Sequence, residues 1–533
     1  MRHRITRLLA MLLCVALLPV TGCQEDSPYD KGFRIPLSGE PYQLDPQVCG
    51  DEASRTVVLS LFEGLTRLNE EGQVVAGAAA SWTLSDDRLT YTFQIGDSRW
   101  SDGEPVTAAD FVYGIRRAVD AVTDSQLAEL TFGIVGAEDV RNGKQPADAL
   151  GVTAKDDRTL EIRLKKADDD FLYKLAFVPF MPCREDFFLS TNARYGLEPE
   201  YLVTNGAFTL DNWDHGTSLL LLRNEHYSRR KEIFPERVRF MVTLDGSVPD
   251  NIKNGTLDIG EIAAEERVAA EDAGAKIVTL RDSIQYLWFN TRLPSLSQTA
   301  VRTALRDSIE WEGLPAFLDG LGQTAATGYV TPEATLRNGE IYRTERNAIG
   351  FVSGGKDMAA RLDQGLAAAG IKSMPTLTVL CAEDTASVEL SQYVIQCWQK
   401  HLGLYFRLEP VSVGTLSARV EAGDFQIAVC PAAAPGSTAL QALTAFTSDS
   451  DANITGFANA AYDQLAAQTD GGDRAAVEKL ERALTAACPA VPLGFVCSYY
   501  AVAGNTEGIV IHAFDGGVFK TRFDFSRALK YED

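Results

Sequence analysis

Histidine is scarce in this chain, with five among 533 residues. His3 sits in the N-terminal run, and His215, His226, His401 and His512 are scattered, none at metal-ligand spacing from another. Without a His-Glu-x-x-His motif or a Cys-x-x-Cys pair, the sequence offers neither a catalytic nor a structural zinc site. A Gly-x-Ser-x-Gly elbow and a Walker loop are also missing, which removes two common routes to acyl and phosphoryl transfer. Acidic pairs such as Asp86-Asp87 and Asp156-Asp157 flank turns, and Asp168-Asp169-Asp170 precedes Phe171 as a helix N-terminus would. No metal, cofactor or catalytic residue is expected. The chain reads as a non-enzyme, with a hydrolase built from carboxylates that meet only in the fold as a rival. Positive charge is short as well: 50 Lys and Arg against 73 Asp and Glu give a net charge of −23. Such a surface repels polyanions, so no nucleic-acid partner is expected. Beyond the N-terminus no apolar run is long enough to span a bilayer, and no repeat or low-complexity linker breaks the chain.

The N-terminus is different in kind. Arg2, Arg4 and Arg7 precede an uncharged, mostly apolar run over residues 8–20, the length of a signal-peptide core. The run ends at Val20-Thr21-Gly22-Cys23, which resembles the bacterial lipobox. Residues 1–22 are therefore expected to be a signal peptide, Cys23 the lipid attachment site and residues 23–32 a lipidated tether. Each buried acyl CH₂ adds about 0.8 kcal/mol of membrane affinity. The expected location is extracytoplasmic, on the cell membrane and held there by the anchor alone. Loss of residues 1–22 removes three arginines and no acid, which takes the net charge to −26.

The mature length is too great for one hydrophobic core. Residues 57–65 carry Val58, Leu61, Phe62 and Leu65 at helical spacing, and residues 89–95 alternate like a strand. Thr107-Ala108-Ala109-Asp110 opens a helix as a capping sequence. Strand pairs are expected over 151–164 and 205–223. From residue 285 onward, strands at 285–290, 377–380, 404–410 and 425–429 alternate with helices at 299–310, 387–401 and 414–421. That alternation argues for an open α/β sheet, preceded by a mixed, strand-rich half. Seven cysteines remain after Cys14 and Cys23: Cys49, Cys183, Cys381, Cys397, Cys430, Cys488 and Cys497. Cys381 with Cys430, or Cys488 with Cys497, are the pairs considered for a bridge, with buried free thiols as the alternative.

An ordered set of blocks then carries a resemblance over nearly the whole mature chain. It runs from Leu44-Asp45-Pro46 and Leu61-Phe62-Glu63-Gly64-Leu65 to Trp100-Ser101-Asp102-Gly103-Glu104-Pro105-Val106-Thr107-Ala108-Ala109-Asp110-Phe111. Asp156-Asp157-Arg158-Thr159-Leu160, Asn205-Gly206-Ala207-Phe208, Arg223-Asn224-Glu225-His226-Tyr227, Val301-Arg302-Thr303-Ala304-Leu305 and Ala461-Tyr462-Asp463 continue it. The chain resembles extracellular solute-binding protein family 5, the oligopeptide- and dipeptide-binding components of ABC transporters.

The resemblance implies a two-lobed, type II periplasmic-binding-protein-like α/β fold with an extra α+β domain on the first lobe. Carried onto this chain, the first lobe takes 33–62, 190–282 and 500–533, the extra domain 63–189, and the second lobe 283–499. It further implies a monomer that binds a small peptide or other small molecule between the lobes and docks on an ABC permease. A sensory or adhesion lipoprotein with the same fold is the alternative. Gly50, Asp51 and Glu52 in the first lobe, and Cys430, Pro431 and Phe495 in the second, are the candidate ligand-binding residues. Peptide binders of this branch usually carry an aspartate for the ligand's α-amino group after the second-lobe strand. Here residues 430–437 read Cys-Pro-Ala-Ala-Ala-Pro-Gly-Ser, without an acid or an aromatic ring.

Overall fold

The computed structural model describes residues 32–70, 72–168, 170–354, 357–433, 436–512 and 522–530. The signal peptide, Cys23 and the tether lie outside them.

Strand β1 (Phe33–Pro36) buries Phe33 and Ile35 and is followed by helix α1 (Glu52–Leu61). The helix starts earlier and stops sooner than the apolar spacing suggests. Asp51 caps it by accepting the Ser54 amide at 2.8 Å, which fixes its start. At the other end Gly64 lies so close to the Leu175 carbonyl that a Cβ would sit 2.1 Å from the oxygen. The extra sheet follows, with β2 (Ala79–Leu84), β3 (Thr90–Ile95), helix α2 (Ala108–Val119), β4 (Val152–Ala154) and β5 (Thr159–Arg163). Thr107 and Asp110 form the expected capping box at the start of α2, the Thr107 amide donating to Asp110 Oδ2 at 2.8 Å. Phe111 and Ile115 of α2 join Phe93 and Leu160 in a core continuous with Phe33 and Ile35.

The chain returns through β6 (Phe208–Asp214), β7 (Ser218–Arg223) and β8 (Arg237–Met241), then helix α3 (Val248–Lys253) and β9 (Ile259–Ile262). β8 pairs in parallel with β1 and antiparallel with β7. A strand of 15 residues, β10 (Ala275–Phe289), then leads into β11 (Gln323–Ala325), β12 (Thr378–Ala382), helix α4 (Thr385–Leu402), β13 (Arg407–Val411) and β14 (Ile427–Ala433). Helix α5 (Arg474–Ala487) precedes β15 (Ala490–Ala503).

β10 and β15 are the spine of the molecule. They pair antiparallel from Ala275 with Ala503 to Trp288 with Ala490. At one end β9 adds to β15 through Ile262 and Tyr499. At the other, β14 adds to β10, and β12 and β13 follow in parallel. Each long strand thus serves two lobes. Between the pairs Leu280/Ser498 and Ser283/Val496 the register shifts. Arg281 and Asp282 there oppose the single residue Cys497, a bulge of the kind that bends a strand ladder.

The second-lobe sheet is buried on both faces, as an α/β sheet must be. Leu287, Phe289, Ile427, Val429, Val379 and Leu493 form one core, and Ile284, Tyr286, Trp288, Ala428 and Leu380 belong to the other. The structure departs from the sequence expectation at two points. The strand at 425–429 does not give way to a loop at Cys430-Pro431. It continues to Ala433, with Cys430 opposite Tyr286 and Pro431 opposite Gln285. The seven cysteines of the described residues are all free, six of them buried, so neither considered bridge forms. Cys381 and Cys430 belong to the cores on opposite faces of the sheet, where their sulfurs cannot meet.

Candidate ligand cleft

Strand direction locates the cleft. β10 leaves the first lobe at Leu280 and runs away from it to Phe289. β14 is antiparallel to β10, so its carboxyl end at Ala433, opposite Ser283, points back at the first lobe. β12 and β13 are parallel to β14 and end the same way, at Ala382 and Val411. On the other side β9 ends towards the second lobe at Ile262, opposite Tyr499. β1 runs alongside β9: Arg34 exchanges hydrogen bonds with Asp258, and a Cβ on Gly260 would touch Pro36. The carboxyl ends of β1, β8 and β9 therefore face those of β12, β13 and β14, the edge at which open α/β sheets hold ligands.

The first-lobe wall is the segment after β1. Its Glu40 carboxylate accepts the Trp213 indole at 2.8 Å and the Gly216 amide at 2.9 Å, and lies 2.8 Å from His215 Nδ1. The other ring nitrogen of His215 lies 3.2 Å from Glu198. The hydrogen bond to Glu40, reinforced by Glu198, holds the imidazole above its ordinary value. Burial works against the Glu40 charge, but His215, Gly216 and Trp213 together hold its carboxyl below the usual range. Tyr42 in the same segment is 81% exposed. The segment is anchored by Asp45, whose carboxylate takes two hydrogen bonds from Arg117 of α2, at 2.6 and 3.1 Å.

The second-lobe wall is the end of β14. β12 pairs with β14 only as far as Val429. Beyond it, the edge of β14 that faces away from β10 has no strand partner among the described residues. Beside this edge lies a cavity of about 100 Å³ lined by Tyr286, Trp288, Tyr329, Phe446, Ala433 and Ala445, among others. Its polar tips are already engaged: the Tyr286 hydroxyl donates to the Tyr329 carbonyl at 3.3 Å, Trp288 Nε1 to the Cys430 carbonyl at 3.1 Å, and the Tyr329 hydroxyl to the Ala490 carbonyl at 2.6 Å. What remains is an apolar surface. At the bulge, Arg281 Nε donates to Glu333 Oε1 at 2.9 Å, and burial pushes the Glu333 carboxyl up despite Arg281.

The residues expected from the sequence are distributed differently. Pro431 is exposed on the unpaired edge. Cys430 is buried beneath it, and burial pushes its thiol up to about 12. Phe495 is 2% exposed in the core, paired with Ile284 and Thr324. Asp51 is occupied as the cap of α1. Gly50 packs against Gln126, whose Oε1 a Cβ would approach to 1.8 Å, and Glu52 is exposed. Glu40, Tyr42, Tyr286, Trp288 and Phe446 were not singled out in the sequence. Tyr286 and Trp288 left a signal, since they alternate with apolar residues on a strand whose other face is also buried.

Two α/β lobes joined by two through-running strands, with opposed strand ends, define a bilobal binding protein. Residues 73–453 match the family described as "Bacterial extracellular solute-binding proteins, family 5 Middle", and the chain belongs to that family of non-catalytic solute-binding proteins. The oligopeptide-binding protein OppA of Bacillus subtilis (strain 168) is 26% identical over 507 residues, covering 92% of each chain. The probable deoxycholate-binding periplasmic protein YgiS of Escherichia coli (strain K12) is 29% identical over 486 residues, 86% of this chain and 87% of its own. Among solved structures, the periplasmic murein tripeptide binding protein MppA in its unliganded open form matches with a TM-score of 0.75 at 27% identity, covering 90% of this chain and 94% of that one.

Proposed function

We propose that the chain is a lipid-anchored receptor of an ABC-type importer, taking a peptide or peptide-like ligand between its lobes and presenting the closed form to a membrane permease as a monomer. The carrying observation is the unpaired edge of β14 at residues 431–433, facing the first lobe beside an apolar cavity. An extended backbone can add to such an edge as a further strand, with a side chain seated in the neighbouring pocket. The bulge at Arg281 and Asp282 opposite Cys497 supports a hinge there, and with it the lobe limits near 282/283 and 499/500. On this reading the first lobe comprises 33–62, 190–282 and 500–533, the extra domain 63–189 and the second lobe 283–499. Membrane attachment through Cys23 rests on the lipobox-like Val20-Thr21-Gly22-Cys23.

The apolar cavity wall and the acid-free run after Val429 favour a ligand that does not depend on a free α-amine. The relatives named above, oligopeptide-binding for one and probable deoxycholate-binding for another, span both polar and amphipathic ligands. Native mass spectrometry of the purified protein identifies what co-purifies. Calorimetry with a peptide so identified and its N-acetylated form then tests the reading. A charge-assisted hydrogen bond contributes about 1.5–3 kcal/mol. Equal affinities support backbone pairing and apolar burial, while a loss of about tenfold or more on acetylation means that a carboxylate elsewhere holds the amine.

A further inference from the structure

We infer that the cavity beside the β14 edge is a specificity pocket for one uncharged aliphatic side chain of about four carbons, of valine or leucine size. This rests on the proposed reading of an extended ligand paired with residues 431–433. Size sets the upper limit. A dry cavity of about 150 Å³ holds benzene, with six carbons, so one of about 100 Å³ holds about four. Phe446, which lines the cavity, is 4% exposed and stacked at 20° on Trp288, so the aromatic wall is already packed. Chemistry sets the second limit. The hydroxyls of Tyr286 and Tyr329 and the indole N–H of Trp288 are each committed to a backbone carbonyl. No acidic or basic side chain is among the lining residues. A lysine or glutamate side chain would enter without a partner, at a cost of about tenfold or more in affinity. The floor and rim are alanines, including Ala445 and the exposed Ala452, and these small side chains leave the space open.

The test is calorimetry on the mature protein with tri-alanine and with tripeptides carrying one leucine, tryptophan or lysine at each position in turn. Burial of a CH₂ contributes about fourfold in affinity. Leucine's three extra carbons are therefore expected to gain up to about fifty-fold over alanine at one position, with tryptophan and lysine gaining nothing there. Ala445→Leu, which fills the pocket, should bring the leucine-to-alanine ratio close to one. Ala452→Leu, at the exposed rim, should lower the same ratio in a variant whose fold is not at risk. If tri-alanine binds but leucine, lysine and tryptophan peptides bind alike at every position, the pocket inference is wrong and the peptide-receptor reading stands. If no tripeptide binds, both fail.

Discussion

Removing the Asp45 carboxylate should destabilise the protein more than any surface change can. Asp45 is 3% exposed and Arg117 is 9% exposed. The guanidinium donates two bonds to Asp45 and one, at 2.8 Å, to Gln47 Oε1, and it lies 3.9 Å from the centroid of the Phe188 ring. Asp45→Ala leaves that buried cation without its counter-charge. Removing one partner of a buried pair costs about 3–5 kcal/mol, because the remaining charge stays desolvated. The same carboxylate accepts the Gln47 amide at 3.1 Å, so the turn carrying the first-lobe wall loosens as well. Urea unfolding followed by tryptophan fluorescence measures the change in stability. Replacing both partners, Asp45→Leu with Arg117→Met, removes the stranded charge and should recover most of the loss. An Asp45→Ala protein within about 1 kcal/mol of wild type, or a double variant no more stable than the single one, would refute the reasoning.

The Glu40–His215–Glu198 cluster should respond to pH. His215 is raised above its ordinary 6.5, so its contribution is complete below that value and lost as pH rises through its folded value. Glu40 is lowered from 4.5, so its contribution is complete above that value and lost as pH falls through its folded value. The stability difference between wild type and His215→Gln should therefore be largest between pH 4.5 and 6.5 and fade on the alkaline side. A titration of the His215 ring by NMR with an ordinary midpoint would contradict this. Thiol labelling of the native mature protein should be confined to the partly buried Cys497, the other six reacting only on unfolding. A non-reducing mass two hydrogen atoms short of the free-thiol value would reveal a bridge and overturn that. Small-angle scattering should give a smaller radius of gyration once a ligand saturates the protein, and an unchanged radius with a tight ligand would argue against a hinge at the bulge. Cys23→Ala should abolish incorporation of labelled palmitate, whereas equal labelling of variant and wild type would remove the anchor.

Much of the fold is legible because local signals and tertiary pairing agree. The capping box at Thr107 and Asp110 announces α2. Alternation in residues 89–95 gives β3, and the strand–helix rhythm after residue 285 gives the α/β lobe. The misreading at Cys430-Pro431 has a physical source. Proline usually ends a strand, yet it is tolerated at an edge, and Pro431 stands where β14 has already lost β12. That edge depends on the length of β12, a strand some fifty residues earlier in the chain, and no local pattern reports it. The cysteines misled for a related reason. Cys381 and Cys430 both lie near the carboxyl ends of neighbouring strands, but the alternation of side chains sends their sulfurs to opposite faces.

The candidate site was legible only in its chemistry. The missing acid after Val429 accords with a cavity whose lining residues include no ionisable acid or base other than tyrosine, and the carboxylates of the proposed cleft come from other segments. Glu40 comes from the segment after β1, and Glu333 from a second-lobe loop that meets the bulge. Neither is idle. Glu40 is held by His215, Trp213 and Gly216, and Glu333 by Arg281. A ligand ammonium would have to displace one of these partners or share its carboxylate, and at Glu333 burial already disfavours the charged form. The apolar cavity asks no such exchange. A ligand that fills it and pairs along β14 gains from both without breaking a hydrogen bond described for these residues, which is why acetylation of the ligand is expected to matter less than the size of one side chain.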